Sequence, residues 1–408
     1  MYSWPTVNLP LLPGTPVPLR LFDTASGEVR PTAPGPQAKL YVCGITPYDA
    51  THIGHANTYV AFDLLNRQWR DNGHEVIYAQ NITDVDDPLL ERATATGVDW
   101  AELAESQTQL FRDDMTELRV LPPEAYVGVV ESVDQVVVAI SRLIDSGQAY
   151  QVDDDWYFDI SLDSRFGSVS SYDLDTQLEL FAERGGDPER EGKRHPLDCL
   201  LWLAERPGEP SWDAPFGKGR PGWHIECSVI ADEYLGTPFD VQGGGSDLVF
   251  PHHEMSASLG SVLDETWPFA RLYAHSGMVS YEDHKMSKSR GNLVFVSKLL
   301  EAGEDPMAIR LALLSNHYRS DWEWTDEVLA VARERLQRWR HAVSFVGGPD
   351  AIDTLAAVRA ALADDLDAPK ALKAVDAWCE TQRLRSGEDE NAPGTISRGV
   401  DALLGVAL

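Results

Sequence analysis

Two histidines in the sequence are spaced so that both could contact a triphosphate. His52 and His55 flank Ile53 and Gly54, at a point where a predicted strand gives way to a predicted helix. The free N–H groups of a helix N-terminus attract anions, imidazoles can hydrogen-bond phosphate oxygens, and a glycine lets a flat base approach the backbone. The pattern indicates ATP, although two histidines that only cap a helix would have the same spacing.

A basic loop far downstream could stabilise a departing pyrophosphate. Lys285 and Lys288 stand three residues apart in the run KMSKSRGN, which covers 285–292. Lysines on flexible stems act as point charges that can neutralise charge developing on a leaving group. A solvated basic loop is the other interpretation. The chain has 34 Lys and Arg against 65 Asp and Glu, a formal net charge of −31, so a local cluster of cations is unusual in it.

Cys43, Cys227 and His252 are candidate metal ligands, although their spacing alone is a weak indication. The nearest two are 25 residues apart, whereas zinc ribbons and fingers use tight Cys-x-x-Cys pairs. The four cysteines, at 43, 199, 227 and 379, have no regular spacing, which argues against a disulfide framework. Considered without any family, the two cysteines are better explained as small buried apolar residues.

The elements that would position these residues alternate between strand and helix. A short apolar run at 39–45 precedes the histidines, a helical pattern covers 58–72, and a second strand pattern covers 75–82. Amphipathic helical patterns follow at 89–118. This order predicts an α/β fold built on a Rossmann-like parallel sheet.

Changes of pattern along the chain predict five regions. Strand patterns are also present at 200–203, 238–244 and 248–251. The regions are an N-terminal arm at 1–37, the first half of a catalytic domain at 38–122, an inserted connective subdomain at 123–200, the second half of the catalytic domain with the lysine loop at 201–316, and a helical bundle at 317–408.

Composition excludes several classes of protein. The strong negative charge opposes binding to a long nucleic acid, because Lys and Arg must displace the counterions of the phosphate backbone. The sequence has no uncharged apolar run of about 18 residues, so no membrane span is expected. The first residues lack the basic segment and the following apolar segment of a secretory signal, so we expect a cytoplasmic protein. We also expect a monomer.

Together, the histidine and lysine motifs resemble the motif pair of class I aminoacyl-tRNA synthetases. The resemblance implies that ATP adenylates a carboxylate. The chemistry of that step implies Mg²⁺ on the phosphates, although no motif in the sequence identifies its ligands. The resemblance also implies a Rossmann-like catalytic domain of that type, with an inserted subdomain and a C-terminal helical bundle.

Two further stretches resemble cysteinyl-tRNA synthetases, namely YVCGITPYD at 41–49 and RPGWHIECS at 220–228. In that family zinc is held by two cysteines, a histidine and a glutamate four residues after that histidine. The resemblance implies one Zn²⁺ on Cys43, Cys227 and His252, whereas the glutamate position is occupied by Ser256. Three protein ligands leave one position of a tetrahedral zinc for the thiolate of substrate cysteine, which would select cysteine over serine. A zinc that activates water is the competing interpretation.

The sequence also resembles the ligases of mycothiol biosynthesis, which join cysteine to the amine of glucosaminyl-inositol. The resemblance to these ligases lies in Ser256 and in the run ERGGDP at 183–188. A tRNA enzyme should have a basic anticodon-binding domain, but 317–408 has eleven basic and sixteen acidic residues. We therefore expect L-cysteine, ATP and glucosaminyl-inositol as substrates and no nucleic acid. The alternatives are a compact cysteinyl-tRNA synthetase and a non-catalytic paralogue that senses a nucleotide or cysteine.

The resemblance also implies roles for individual residues. His52, His55, Lys285 and Lys288 would be catalytic, and Trp223 would line the pocket around the substrate's methylene, although a tryptophan at such a turn is often plain core. No base is identified for the attack by the amine. The remaining implied contacts are, for the nucleotide, Gly54, Gly245, Ser246, Asp247 and Val279, and, for the cysteinyl adenylate, Cys43, Gly44, Ile45, Thr46, Thr58, Asn81, Ile82 and Thr83.

Overall fold

The computed structural model describes residues 1–49, 51–282, 284–285, 292–385 and 387–408. Within these ranges the strands are β1 (Arg20–Asp23), β2 (Glu28–Pro31), β3 (Gln37–Val42), β4 (Glu75–Ile82), β5 (Ala125–Gly128), β6 (Ala149–Val152), β7 (Asp155–Phe158), β8 (Cys199–Ala204), β9 (Gly219–Pro221), β10 (Phe239–Gly245), β11 (Ala270–Ser276), β12 (Val279–Tyr281), β13 (His284–Lys285) and β14 (Trp322–Glu323).

Helices connect and cover these strands. In chain order they are α1 (Ile53–Asp71), α2 (Asp87–Thr96), α3 (Trp100–Glu117), α4 (Val129–Asp145), α5 (Leu174–Glu183), α6 (Trp223–Leu235), α7 (Glu254–Leu263), α8 (Val296–Glu301), α9 (Pro306–Leu313), α10 (Asp326–Val343), α11 (Ile352–Ala363), α12 (Ala368–Leu384) and α13 (Ala392–Leu404). No helix among the described residues is both long enough and apolar enough to cross a membrane.

The main sheet is parallel and has the order β11-β10-β3-β4-β5. Strand β3 pairs with β10 on one side and with β4 on the other, in the same direction. The order reverses beside β3, and ligands of open α/β sheets bind at such a switch point, outside the carboxyl ends of the strands. This confirms the predicted α/β class with a Rossmann-like parallel sheet.

The inserted region forms a separate antiparallel sheet with the order β6-β7-β8-β9. The predicted boundaries at 123 and 200 do not coincide with the ends of the two sheets. Strand β5 lies after 123 but pairs with β4 of the main sheet, and β8, the strand pattern at 200–203, pairs with β7 of the insert. Hydrophobic pattern identifies a strand but not its partner, which explains both differences.

One predicted strand is wrong. The pattern at 248–251 suggested a strand, but Val249–His253 forms a short helical turn in which Phe250 alone has extended angles, φ −141° and ψ 135°. Short apolar runs fit either kind of element. The turn leads directly into α7.

A buried cluster of charged side chains joins two helices of the catalytic domain, and one of its arginines also contacts the helical bundle. Asp63 of α1 accepts hydrogen bonds from Arg67, at 2.7 Å, and from Arg310, and all three side chains are buried. Although burial alone would raise the pKa of Asp63, the charges of Arg67 and Arg310 hold that pKa below its usual range. Arg310 also donates to the carbonyl of Leu404, at the end of the last helix, at 2.7 Å.

Candidate active site and metal centre

The carboxyl edge of the main sheet collects most of the predicted site residues. Cys43 follows β3, Thr83 follows β4, and Gly245 and Ser276 end β10 and β11. Because these strands are parallel and adjacent, their ends meet on one side of the sheet. Residues that are far apart in the sequence therefore surround one crevice.

The three predicted metal ligands come together in this crevice. The sulfurs of Cys43 and Cys227 are 3.9 Å apart, and Nε2 of His252 is 3.1 Å from the sulfur of Cys227. All three residues are buried, and their ligand atoms lie within 4.8 Å of one another. Burial, and then the sulfur of Cys43, raise the pKa of the Cys227 thiol well above its usual value. Two sulfurs and one imidazole nitrogen are the donors that zinc prefers, so the residues present fit that ion.

Neighbouring rings hold His252 in place. Its Nδ1 is 3.1 Å from Nδ1 of His224, which leaves Nε2 directed at the cysteines, and the ring of Trp223 stacks on it with centroids 4.3 Å apart. Trp223 is half-buried. Nε2 of His253 is 3.2 Å from the sulfur of Cys43, and its Nδ1 is 2.7 Å from Nε2 of His275. Such partners orient metal ligands.

Ser256 does not replace the missing glutamate as a ligand. Its hydroxyl donates to the carbonyl of His224 at 3.1 Å, and its own carbonyl accepts from the hydroxyl of Ser228 at 2.8 Å. The side chain is therefore used in the contact between α6 and α7. The described Cys, His and acidic residues form no second cluster of metal-ligand type.

The loop after β3 lies very close to the end of β4. The amide of Gly44 donates to Oδ1 of Asn81 at 2.8 Å, and the amide of Thr83 donates to the carbonyl of Ile45 at 3.0 Å. A Cβ added to Gly44 would lie only 1.6 Å from the carbonyl oxygen of Asn81. Only glycine fits at position 44, and Ile82 is buried between these contacts.

The two histidines at the start of α1 stack on each other, with ring centroids 3.7 Å apart. His52 is the N-cap, and its Nδ1 accepts from the amide of His55 at 3.3 Å. Burial lowers the pKa of His55 to about 4, so the ring is neutral at pH 7. A neutral imidazole still has one N–H group that can donate to a phosphate oxygen. A Cβ on Gly54 would lie 2.9 Å from the ring of His52.

The other predicted nucleotide contacts lie along the same edge. The hydroxyls of Thr58 and Ser276 are 2.7 Å apart, which joins α1 to the end of β11. A Cβ on Gly245 would be 2.5 Å from Oδ1 of Asp247, in the short helical turn that Ser246 begins. Val279 is buried in β12. Thr46 lies in the loop after β3, where its carbonyl accepts from the amide of Tyr48 at 3.0 Å.

The histidine motif is bonded to the chain that follows the lysine loop. The amide of Ile53 donates to the carbonyl of Val294 at 2.8 Å, and the amide of Val296 donates to the carbonyl of Thr51 at 3.0 Å. Lys285 pairs with Ser280 at the start of the loop. Lys288 lies outside the described residues, so its role stays a prediction.

The sequence motifs assign no role to several acidic groups that lie beside the metal cluster. Burial, followed by the charges of Asp86 and Cys227, raises the pKa of Glu226 well above its usual value. Burial also raises the pKa of Asp84 and of Asp86 to about 6. Asp84 accepts from the amide of Val130 at 2.9 Å and Asp86 caps α2, so both carboxyls already serve helix N-termini.

Comparison with known proteins first defines the class. Residues 31–334 match the family model of the tRNA synthetases class I (C) catalytic domain. The fold is similar to that of the Mycobacterium tuberculosis methionyl-tRNA synthetase in complex with methionyl-adenylate, with a TM-score of 0.61, 16% identity and coverage of 90% of this chain and 89% of that one. It is also similar to the agnB2 LeuRS of Agrobacterium radiobacter K84 in a ternary complex with tRNA and LeuAMS, with a TM-score of 0.67, 13% identity and coverage of 92% and 84%. The chain thus contains a class I tRNA synthetase catalytic domain.

Relatives of closely similar sequence narrow this class. The chain is 62% identical to the L-cysteine:1D-myo-inositol 2-amino-2-deoxy-alpha-D-glucopyranoside ligase of Streptosporangium roseum, over 100% of both chains. It is 61% identical to the ligase of that name from Thermobispora bispora and 62% identical to that from Gordonia bronchialis, again over 100% of both chains. The chain belongs to this ligase family, as the resemblance at ERGGDP and Ser256 predicted.

Proposed function

We propose that the protein joins L-cysteine to the amine of glucosaminyl-inositol, with ATP as the source of energy and cysteinyl-AMP as the intermediate. The observation that carries the proposal is the buried cluster of two cysteines and His252 next to the loop at Gly44. A thiol-selecting site beside an adenylate-binding edge suits the activation of cysteine. Membership of the ligase family supplies the acceptor.

In the first half-reaction the carboxylate of cysteine attacks the α-phosphate of ATP, and pyrophosphate leaves with its Mg²⁺. His52 and His55 would donate N–H groups to the phosphates. Lys285 and Lys288 would balance the charge of the leaving group. Asp247 would bind the ribose, and the loop at Gly44 would contact the adenylate.

The thiol of the substrate would be selected by the cluster of Cys43, Cys227 and His252. These residues would hold zinc, which would supply a borderline-soft Lewis acid that favours a thiolate over the hydroxyl of serine. Trp223, stacked on His252, would cover the methylene and exclude water. Because a metal held by these three ligands would prefer the thiolate of cysteine to the hydroxyl of serine, the site would need no editing step against serine.

In the second half-reaction the unprotonated amine of the acceptor attacks the activated carbonyl and expels AMP. A free amine is already a competent nucleophile against an acyl phosphate, so the main contribution of the protein is positioning. The net acidic composition of 317–408 does not suit tRNA, and we propose that a monomer acts on small molecules alone.

The test supplies cysteine and ATP with one of three acceptors, and measures AMP release together with coupled product. We expect both only with glucosaminyl-inositol. The matched analogue with a hydroxyl in place of the amine should give neither, and a cysteine tRNA should remain uncharged. Product formed only with the tRNA would contradict the proposal. Nucleotide binding without any pyrophosphate turnover would contradict catalysis itself.

A further inference from the structure

An arginine of the insert contacts the backbone of the active site. Arg184 follows the last residue of α5, and its Nη1 donates to the carbonyl oxygens of Asp247 and Phe250. These two carbonyls belong to the irregular stretch between β10 and α7. That stretch contains Asp247, on the nucleotide side, and His252, on the metal side.

The stretch accepts hydrogen bonds from outside itself. A short helical turn at Ser246–Leu248 is followed by the turn Val249–His253, and the extended Phe250 interrupts regular helical bonding. Buried backbone carbonyls without an intrahelical partner require another donor. Arg184 supplies it to two of these carbonyls at once.

The position of Arg184 is itself fixed by the ERGGDP segment. The next residue, Gly185, has a φ of +87°. A Cβ on Gly186 would lie 2.3 Å from the ring of Phe181, so the chain turns tightly against the end of α5. Asp187 then accepts from the hydroxyl of Tyr157 at 2.5 Å. The arginine therefore extends from a rigid turn.

A second contact between the insert and the active site lies at the far end of the same stretch. The carboxylate of Glu254 accepts from the amides of Gly167, Val169 and Ser170 at 2.8, 3.1 and 2.7 Å. The insert thus holds the stretch at 247–250 through Arg184 and at 254 through these amides.

We propose that Arg184 is a positioning residue that sets Asp247 and His252 together in their working geometry. The insert then determines both how ATP is held and how firmly the metal ligand is held. The part of the inference that concerns ATP rests on the proposed function, and it is measured by the KM for ATP. The part that concerns the metal is measured by the rate of zinc loss, which does not depend on that function. The inference assigns ERGGDP an anchoring role and no direct contact with substrate.

The test compares Arg184→Met with Arg190→Met. Arg190 is in the same insert and binds Asp155 and Tyr157, at 2.6 and 2.9 Å, so its loss perturbs the insert without touching the stretch. We expect Arg184→Met to raise the KM for ATP in cysteine-dependent pyrophosphate exchange about tenfold. We expect zinc loss to a chelator to become at least about tenfold faster. Arg190→Met should change neither.

Two further measurements separate positioning from folding. Arg184→Lys keeps a cationic donor and should recover most of both properties, and methylguanidinium added to Arg184→Met should restore part of the exchange rate. Unchanged ATP KM and zinc loss in Arg184→Met, or equal effects in Arg190→Met, would overturn the inference. If the wild-type chain shows no exchange, the proposed function fails, while the zinc measurement still decides the role of Arg184.

Discussion

Nε2 of His252 lies 3.1 Å from the sulfur of Cys227, although 25 residues separate them in the chain. Cys43, 184 residues before Cys227, completes the cluster from the end of a strand. The parallel sheet and α6 bring these groups together, whereas their spacing along the sequence would not. The cluster is therefore a product of the tertiary fold.

Replacing Cys227 by alanine tests whether metal and cysteine share this site. We expect Cys227→Ala to lose bound zinc and cysteine-dependent pyrophosphate exchange together, because two remaining ligands cannot hold the ion firmly. Metal analysis and the exchange assay measure the two properties. Cys379→Ala, in the buried core of the bundle, is the matched control and should keep both. Full retention of zinc and exchange in Cys227→Ala would refute the assignment.

Gly44→Ala tests the close approach of the two strand ends. The new Cβ would overlap the carbonyl of Asn81, so the backbone must move and exchange should fall at least about a hundredfold. At Gly35 a Cβ would meet only the carbonyl oxygen of Gln37, at 3.9 Å, so Gly35→Ala should behave like the wild type. Equal activity of the two variants would show that the close contact between Gly44 and Asn81 is not required for pyrophosphate exchange.

The elements that carry this site were predictable from the sequence because hydrophobic pattern is local, whereas the three metal ligands were predicted only from the resemblance to cysteinyl-tRNA synthetases. The strand before Cys43, the helix after His52 and the parallel sheet follow from hydrophobic pattern. The partners of β5 and β8 did not follow, because pairing depends on tertiary packing. His224, Glu226 and Arg184 were missed as contributors for the same reason.

Asp114 should make the stability of the protein depend on pH. Burial in α3 raises the pKa of this carboxyl to about 7, whereas in the unfolded chain it is near 3.9. Between about pH 4 and pH 7 the unfolded chain loses its proton first, so stability falls as the pH rises and the loss is complete above pH 7. Asp114→Asn cannot ionise and should be more stable than the wild type by about 2–4 kcal/mol at pH 8.

The measurement for Asp114 is denaturant unfolding at pH 4.5 and pH 8. The advantage of Asp114→Asn should shrink to about 1 kcal/mol or less at the lower pH. Asp113→Asn, an exposed neighbour on the same helix, is the control and should change little at either pH. An advantage of the same size at both values would show that ionisation of Asp114 is not its cause.

Lys288→Ala tests the lysine loop. We expect a lower rate of adenylation with little change in the affinity for cysteine, because the lysine is assigned to charge that develops only on the leaving pyrophosphate. Single-turnover formation of cysteinyl-AMP separates the rate from the affinity. A collapse of cysteine affinity at an unchanged rate would mean that the loop has been misassigned.

X-ray absorption at the zinc edge, with and without a non-hydrolysable cysteinyl-adenylate analogue, tests the central claim most directly. The account predicts two sulfur neighbours in the zinc-loaded protein and a third, at about 2.3 Å, when the analogue is bound. The seryl analogue should add none. An unchanged sulfur count with the cysteinyl analogue would contradict the account, because the substrate would then be recognised without its thiol reaching Cys43, Cys227 and His252.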